Sequence, residues 1–317
     1  MPEHSPKPAA EQLIGAEERG PAGTPLPAAE IQFAAIAQGH EGQASKHRLG
    51  IGAWLAIAYL VLVVGSAILA PLLPIPDPNK DVFPGLNRQG PTLDHLFGVD
   101  ANGRDVLSRV IWGGRNSLTI GVSAIAIGFL LGGLFGLLSG YFRGKVGTGL
   151  GAMTDILLAF PPLVLAIAIT TNLDRTIFYV SLALAIVSIP VLARITRAST
   201  LSWSEREFVA AARAQGAKHG RTMLREVLPN VLPAMFSIAL LGIAVVIVSE
   251  SGLAILGAGV APEVVTWGNI ISAGRNDLRD ASHIVLSVSF VIFGVVLSLN
   301  YLGDVVRARF DVRESAL

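Results

Sequence analysis

Residues 49–74 run for 26 positions without one charged side chain. As a helix rising about 1.5 Å per residue, such a stretch exceeds the ~30 Å hydrocarbon thickness of a bilayer. Pro71 and Pro74 close it. Five more apolar runs follow, at about 116–142, 156–173, 176–193, 230–249 and 282–303. Hydrocarbon offers no partner to a free backbone N–H or C=O, so such runs cross it only as helices. The expectation is an all-α integral membrane protein with six transmembrane helices. Composition agrees, with 52% hydrophobic and only 15% charged residues.

Net charge is +1, so no basic field favours nucleic acid, and the absence of cysteine excludes a disulfide framework, thiolate chemistry and a cysteine zinc site. Residues 1–46 are rich in Pro, Ala, Gly and Glu and predict a disordered cytoplasmic tail, with a weak helix around 28–38. Residues 47–317 form the transmembrane domain. The first apolar run begins near Leu49, too late for a cleaved signal peptide.

Six crossings place both termini on one side, and the positive-inside rule selects it. With the N-terminus inside, sixteen of the 24 Lys and Arg residues fall on inner segments, so both termini are expected in the cytoplasm. Within the loop at 75–116, Val106, Leu107, Val110 and Ile111 make an apolar stripe at helical spacing, which predicts an amphipathic helix lying at the interface. Residues 259–281 predict another polar loop with a short interfacial helix. Gly128, Gly132, Gly136 and Gly140 recur every four residues on the second span and predict a helix-packing ridge. The stretch Gly140-Tyr-Phe-Arg-Gly144-Lys145 is not a P-loop: one spacer residue is missing and Val146 stands where Ser or Thr is needed.

Residues 201–229 are a long polar segment between apolar runs, and they fall on the cytoplasmic side. Five basic residues within them, with Arg194 and Arg197 just before, face three acidic ones. Ser204 and Glu207 have capping-box spacing, so a helix is expected from about Glu205. Gly216 stands where that helix would end in a left-handed residue. A second helix is expected from about His219 to Leu228, with Pro229 opening the next span. Phe208, Ala211, Ala212 and Gln215 share one face of the first helix. A solvated linker would carry a similar charged face.

The same segment resembles the EAA loop of bacterial ABC-importer permeases, E-A-A-x3-G-x9-I-x-L-P. Ala211-Ala212, Gly216 and Leu228-Pro229 match; Ala210 and Glu226 replace Glu and Ile. Residues 98–118 are similar to a G-T-D-x-x-G-R-D-V-x-S-R segment of oligopeptide, dipeptide and nickel permeases of the "C" type, with Val99 for Thr. Residues 250–268 resemble their E-x-x-L-S-F-L-G-x-G and S-W-G motifs through Glu250, Leu253, Leu256-Gly257, Gly259 and Trp267-Gly268, with Ala254, Ile255 and Thr266 departing. Residues 300–313 resemble N-x-L-G-D-x-x-R-x-x-x-D-P-R, with Val312 for Pro.

The resemblance covers about residues 50–313 and implies a type I ABC importer permease fold in the bacterial inner membrane. It also implies partners: a second homologous permease subunit, two ATPase subunits and an extracytoplasmic substrate-binding protein, besides membrane lipid. Glu207, Phe208, Ala211, Ala212, Gln215, Gly216, Leu228 and Pro229 would dock the ATPase. The chain itself would hold no catalytic, cofactor or metal site, ATP and Mg²⁺ belonging to the ATPases. Short peptides are the expected cargo, with nickel or another small solute as the alternative. A secondary transporter needs ionisable groups at mid-membrane, and Asp155, Asp174, Arg194 and Glu250 all fall at expected span ends, Glu250 as a snorkelling or paired interfacial carboxylate. An intramembrane enzyme needs a catalytic pair within spans, and none of the six histidines has a partner at ligand spacing there.

Overall fold

The computed structural model describes residues 50–314, with side chains through residue 309. The expected tail, 1–46, lies outside the described residues. Helix α1 (Ile51–Leu69) ends in a 3-10 turn, Ala70–Leu72, carrying Pro71. Helix α2 (Val106–Tyr141) is 36 residues long. A bent pair follows, α3 (Lys145–Leu158) and α4 (Pro162–Thr170), then α5 (Ile177–Ser204) and the short α6 (Glu207–Ala214). One turn, α7 (His219–Thr222), leads through a π turn at Met223–Val227 into α8 (Leu228–Ile255). The short α9 (Trp267–Gly274) and the long α10 (Ser282–Glu314) complete the order.

Among the described residues five helices are long and apolar enough to cross a membrane, and the pair α3–α4, bent by 83°, makes a sixth when taken as one broken span. The contacts of the pair place its ends on opposite sides. Gly151 lies against Arg197, near the end of α5 that carries Ser204, whereas Ala166 packs with Val180 and Val260 at the other end. The expected third span therefore begins earlier than residue 156 and is broken, because Pro161 and Pro162 lack the N–H groups that would continue the helix.

The separate interfacial helix at 106–111 does not exist; those residues are the first turns of α2. Asp105 caps the helix by accepting from the Ser108 N–H at 2.8 Å. Val106 and Val110 are apolar because they pack in a core with Trp267, Ile270 and Ile284. Two glycines fit here because α9 comes close: a Cβ on Gly113 would lie 3.2 Å from the Thr266 backbone, and one on Gly114 3.0 Å from the Trp267 ring. The preceding loop is fastened over this end. The Phe83 N–H donates to the Gly103 carbonyl at 2.7 Å, Arg109 donates to the Pro78 carbonyl at 3.0 Å, and Arg88 pairs with Asp277 at 2.8 Å.

The polar segment also differs from expectation at two places. Helix α5 runs on to Ser204, so Ser204 is no N-cap; its hydroxyl donates back to the Leu201 carbonyl at 3.0 Å. The helix that follows starts at Glu207, with Arg206 at the cap position and no side-chain cap. Nor does Pro229 break the chain. The run from His219 to Ile255 is continuous. The Leu228 N–H reaches five residues back to the Met223 carbonyl, and this wider turn admits the Pro229 ring. The Asn230 side chain donates to the Glu226 carbonyl at 2.6 Å.

Candidate functional site

The glycines of α2 lie along α5 in a matched four-residue register. A Cβ on Gly132 would come within 2.6 Å of the Ile189 carbonyl oxygen, and one on Gly136 within 2.5 Å of the Ala193 oxygen. A Cβ on Gly128 would meet Leu192 at 3.0 Å and one on Gly140 Thr200 at 2.7 Å. Ser188, Leu192, Thr196 and Thr200 thus answer the glycines on the facing helix. Backbones this close leave room for hydrogen alone, and such contacts drive helix association in membranes.

Where that seam ends, it supports α6. Val209 is fully buried among Leu137 and Tyr141 of α2, Trp203 of α5, Val227 of the π turn, and Val231 and Met235 of α8. Two guanidinium groups brace it from outside. Arg213 lies 5.0 Å from the centre of the Tyr141 ring and Arg206 5.3 Å from that of Trp203. Tyr141 also pairs its hydroxyl with His219 Nδ1 at 3.2 Å, and Arg143 pairs with Glu205.

Anchored by Val209, α6 shows its other face to solvent. Glu207, Phe208, Ala211 and Gln215 are exposed there, as is Gly216. Ala212 is half-buried because it turns toward the Val209 side. Gly216 has φ +86°. The Ala217 N–H donates to the Ala212 carbonyl at 3.1 Å and the Gly216 N–H to the Arg213 carbonyl at 3.0 Å, the paired bonds of a Schellman ending. Leu228 and Pro229 stand apart from this surface: Leu228 packs on the cluster around Val209, and Pro229 is exposed on the first turn of α8.

At the opposite end, sequence reasoning missed a polar knot. Glu250 is neither snorkelling nor paired with a cation. It is fully buried inside α8, accepting from the Thr266 hydroxyl at 2.8 Å and the Ser117 hydroxyl at 3.4 Å. Ser117 in turn accepts from the Trp267 N–H at 3.0 Å, and the Trp267 indole donates to the Val110 carbonyl at 2.9 Å. A Cβ on Gly268 would come 3.0 Å from the Glu250 carboxylate and 2.8 Å from Ser251 Cα. Two separate motif stretches, 98–118 and 250–268, therefore meet in space. Near the chain's end, Ser237 donates to the Gly303 carbonyl at 2.8 Å, joining α8 to α10.

Asp155 also departs from expectation. It lies within α3, exposed, one turn before the break.

Comparison with known proteins finds relatives of the whole described chain. A family described as "Binding-protein-dependent transport system inner membrane component" matches residues 132–315. The chain is 35% identical over 287 residues to the dipeptide transport system permease protein DppC of Alkalihalophilus pseudofirmus, covering 90% of this chain and 93% of that one. It is 37% identical over 260 residues to the glutathione transport system permease protein GsiD of Escherichia coli O6:K15:H31, covering 82% and 86%. Among solved structures, an inward-facing conformation of the MetNI methionine ABC transporter superposes with a TM-score of 0.55 at 19% identity, over 64% of this chain and 96% of that one. That likeness establishes the type I importer permease fold.

Proposed function

The chain belongs to the family of binding-protein-dependent transport system inner membrane components, and on that premise we propose that it forms half the translocation pore of an ATP-driven importer of short peptides. It is a multi-pass protein of the bacterial inner membrane. Its relatives' names support the cargo: one is a dipeptide permease and another a glutathione permease, and glutathione is itself a short peptide. This favours peptides over nickel.

One observation carries the coupling role. Helix α6 is held rigidly by Val209 yet keeps Glu207, Phe208, Ala211 and Gln215 free on one side. A short, fixed, exposed face on the basic side of the membrane suits insertion into a cleft of an ATPase. When ATP draws two ATPase subunits together, α6 moves with the cleft. Val209, Tyr141 and Trp203 pass that displacement to the ends of α2 and α5. The glycine seam makes those two helices move as one body, and the pore exchanges inward for outward access. A second permease subunit completes the pore, and a binding protein delivers cargo from outside.

The test is reconstitution of the chain with its neighbouring permease, ATPases and binding protein in liposomes. ATP-dependent uptake of labelled dipeptide is expected. Uptake of nickel without uptake of any peptide would overturn the cargo assignment, and uptake independent of ATP would overturn the importer assignment.

A further inference from the structure

Helix α3 carries two different exposed faces. Val146, Met153 and Ile156 are apolar and exposed, as a lipid-facing surface should be. On a neighbouring stripe Thr148, Ala152, Asp155 and Ala159 are also exposed, spaced by four, three and four residues. Asp155 lies inside the pair that crosses the membrane, ten residues beyond Lys145 and so roughly 15 Å along the helix. Among the described residues no ion pair or side-chain hydrogen bond reaches its carboxylate. A bare carboxylate within a span is tolerated only against water or a partner.

The 83° break adds a second, independent observation. Pro161 and Pro162 bring no N–H. Among the described residues no hydrogen bond reaches the carbonyls of Leu158, Ala159 or Phe160, or involves the N–H groups of Leu163 and Val164. Ala159, Phe160, Pro161 and Pro162 are all exposed. Open backbone at membrane depth survives only where it lines a water-filled cavity or is buried in protein. The carbonyl end of α3 is also the negative end of its macrodipole, which favours a cation.

Building on the peptide-importer reading, we propose that the α3–α4 break lines the translocation path, where Asp155 and the carbonyls of Leu158, Ala159 and Phe160 receive the ammonium group of a passing peptide. All four are hydrogen-bond acceptors, and an ammonium supplies three donors and no acceptor. Side chains of the peptide take no part in this contact, so it suits cargo of varied sequence.

The chain contains no cysteine, so Ala152→Cys, Ala159→Cys and Met153→Cys each create one labelling site in the complex assembled with cysteine-free partners in liposomes. A charged, membrane-impermeant maleimide is expected to modify Ala152→Cys and Ala159→Cys at least about tenfold faster than Met153→Cys, as thiols in water rather than lipid. Alanyl-alanine amide at millimolar concentration should slow modification of Ala159→Cys, while its N-acetylated form should not. Adding Asp155→Asn should abolish that protection, and Asp155→Glu should keep it. Equal, slow labelling at all three positions overturns the water-lined path. Protection by both peptides, by neither, or protection that survives Asp155→Asn overturns the ammonium site. Failure of the wild-type complex to import peptide would sink the proposed cargo while leaving the labelling pattern to stand, so the two ideas fail separately.

Discussion

Thr266 donates its hydroxyl to Glu250 at 2.8 Å, and with the Ser272 hydroxyl on the Ala254 carbonyl at 3.1 Å this bond fastens the short helix α9 to the spanning helix α8. Thr266 and Glu250 are fully buried. Ser117 of α2 joins the same carboxylate, so three helices share one acceptor. Replacing Glu250 with Ala strips two buried hydroxyls of their partner, and each buried group left unsatisfied costs about 1–3 kcal/mol. Glu250→Ala is therefore expected to lower the thermal unfolding midpoint of the detergent-purified protein clearly. Glu250→Gln keeps an acceptor oxygen and should lower it less. Equal midpoints for wild type and Glu250→Ala would show the knot to be dispensable.

The glycine seam predicts a sharp contrast between positions. Gly136→Ala places a methyl group 2.5 Å from the Ala193 carbonyl oxygen and 2.5 Å from Thr196 Cβ, neither of which is the tip of a flexible side chain. Overpacking of this kind costs about 1–3 kcal/mol, and Gly132→Leu should be worse. Gly149→Ala meets nothing within 4 Å and sits inside α3. There alanine is the better helix former by roughly 1 kcal/mol. Folded yield by size-exclusion chromatography should fall for Gly136→Ala and Gly132→Leu, and hold or rise for Gly149→Ala. Normal yield and transport for Gly132→Leu would mean that α2 and α5 separate freely.

Tyr141 is the joint between α2 and the polar segment. Arg213 stacks on its ring and His219 meets its hydroxyl. Tyr141→Phe keeps the ring and loses the hydroxyl contact, so a small loss of stimulated ATP hydrolysis is expected. Tyr141→Ala removes the surface under Arg213 and opens the cluster around Val209. It should uncouple hydrolysis from transport in the reconstituted complex, with the ATPase still bound. Full coupling in Tyr141→Ala would show that motion enters the membrane through α8 alone.

How far these features could be read from the chain depends on the distance between partners. The long apolar runs announce the spans because length without charge is a local property. Gly216 was legible for the same reason: a small run of helix formers followed by glycine implies a left-handed ending, and φ is +86°. The continuity of α2 was not legible. Arg109, Arg115 and Asn116 make its first half look like loop, and Arg109 is buried only because the Pro78 carbonyl and Asp100 meet it. Glu250 looked like an interfacial carboxylate because Ser117 lies 133 residues away. Pro161-Pro162 announced a break, but nothing local announced its 83° bend. The Ser204–Glu207 spacing misled because α5 does not stop where the apolar run stops.

At residues 207–216 docking and folding can be separated. Around Gly216 a Cβ would meet nothing within 4 Å, so the cost of a side chain there is purely conformational. A non-glycine residue in the left-handed region costs roughly 1–2 kcal/mol, and a β-branched one fits it worst. Gly216→Val should therefore tilt or fray the end of α6 without disturbing the seam or the buried cluster. Ala211→Asp makes a second, independent probe. Ala211 is exposed, so an aspartate is harmless in the free chain, but it becomes an unpaired carboxylate once a partner covers the face. Ala212→Asp is the less clean choice, since Ala212 is half-buried in the chain itself. Both Gly216→Val and Ala211→Asp should insert in the membrane and pair with the second permease at wild-type levels. Both should retain less ATPase on co-purification, or retain it without stimulation by loaded binding protein. Wild-type co-purification together with wild-type stimulation in both variants would reduce residues 207–216 to a solvated linker, and the site of coupling would have to be sought elsewhere on this face of the protein.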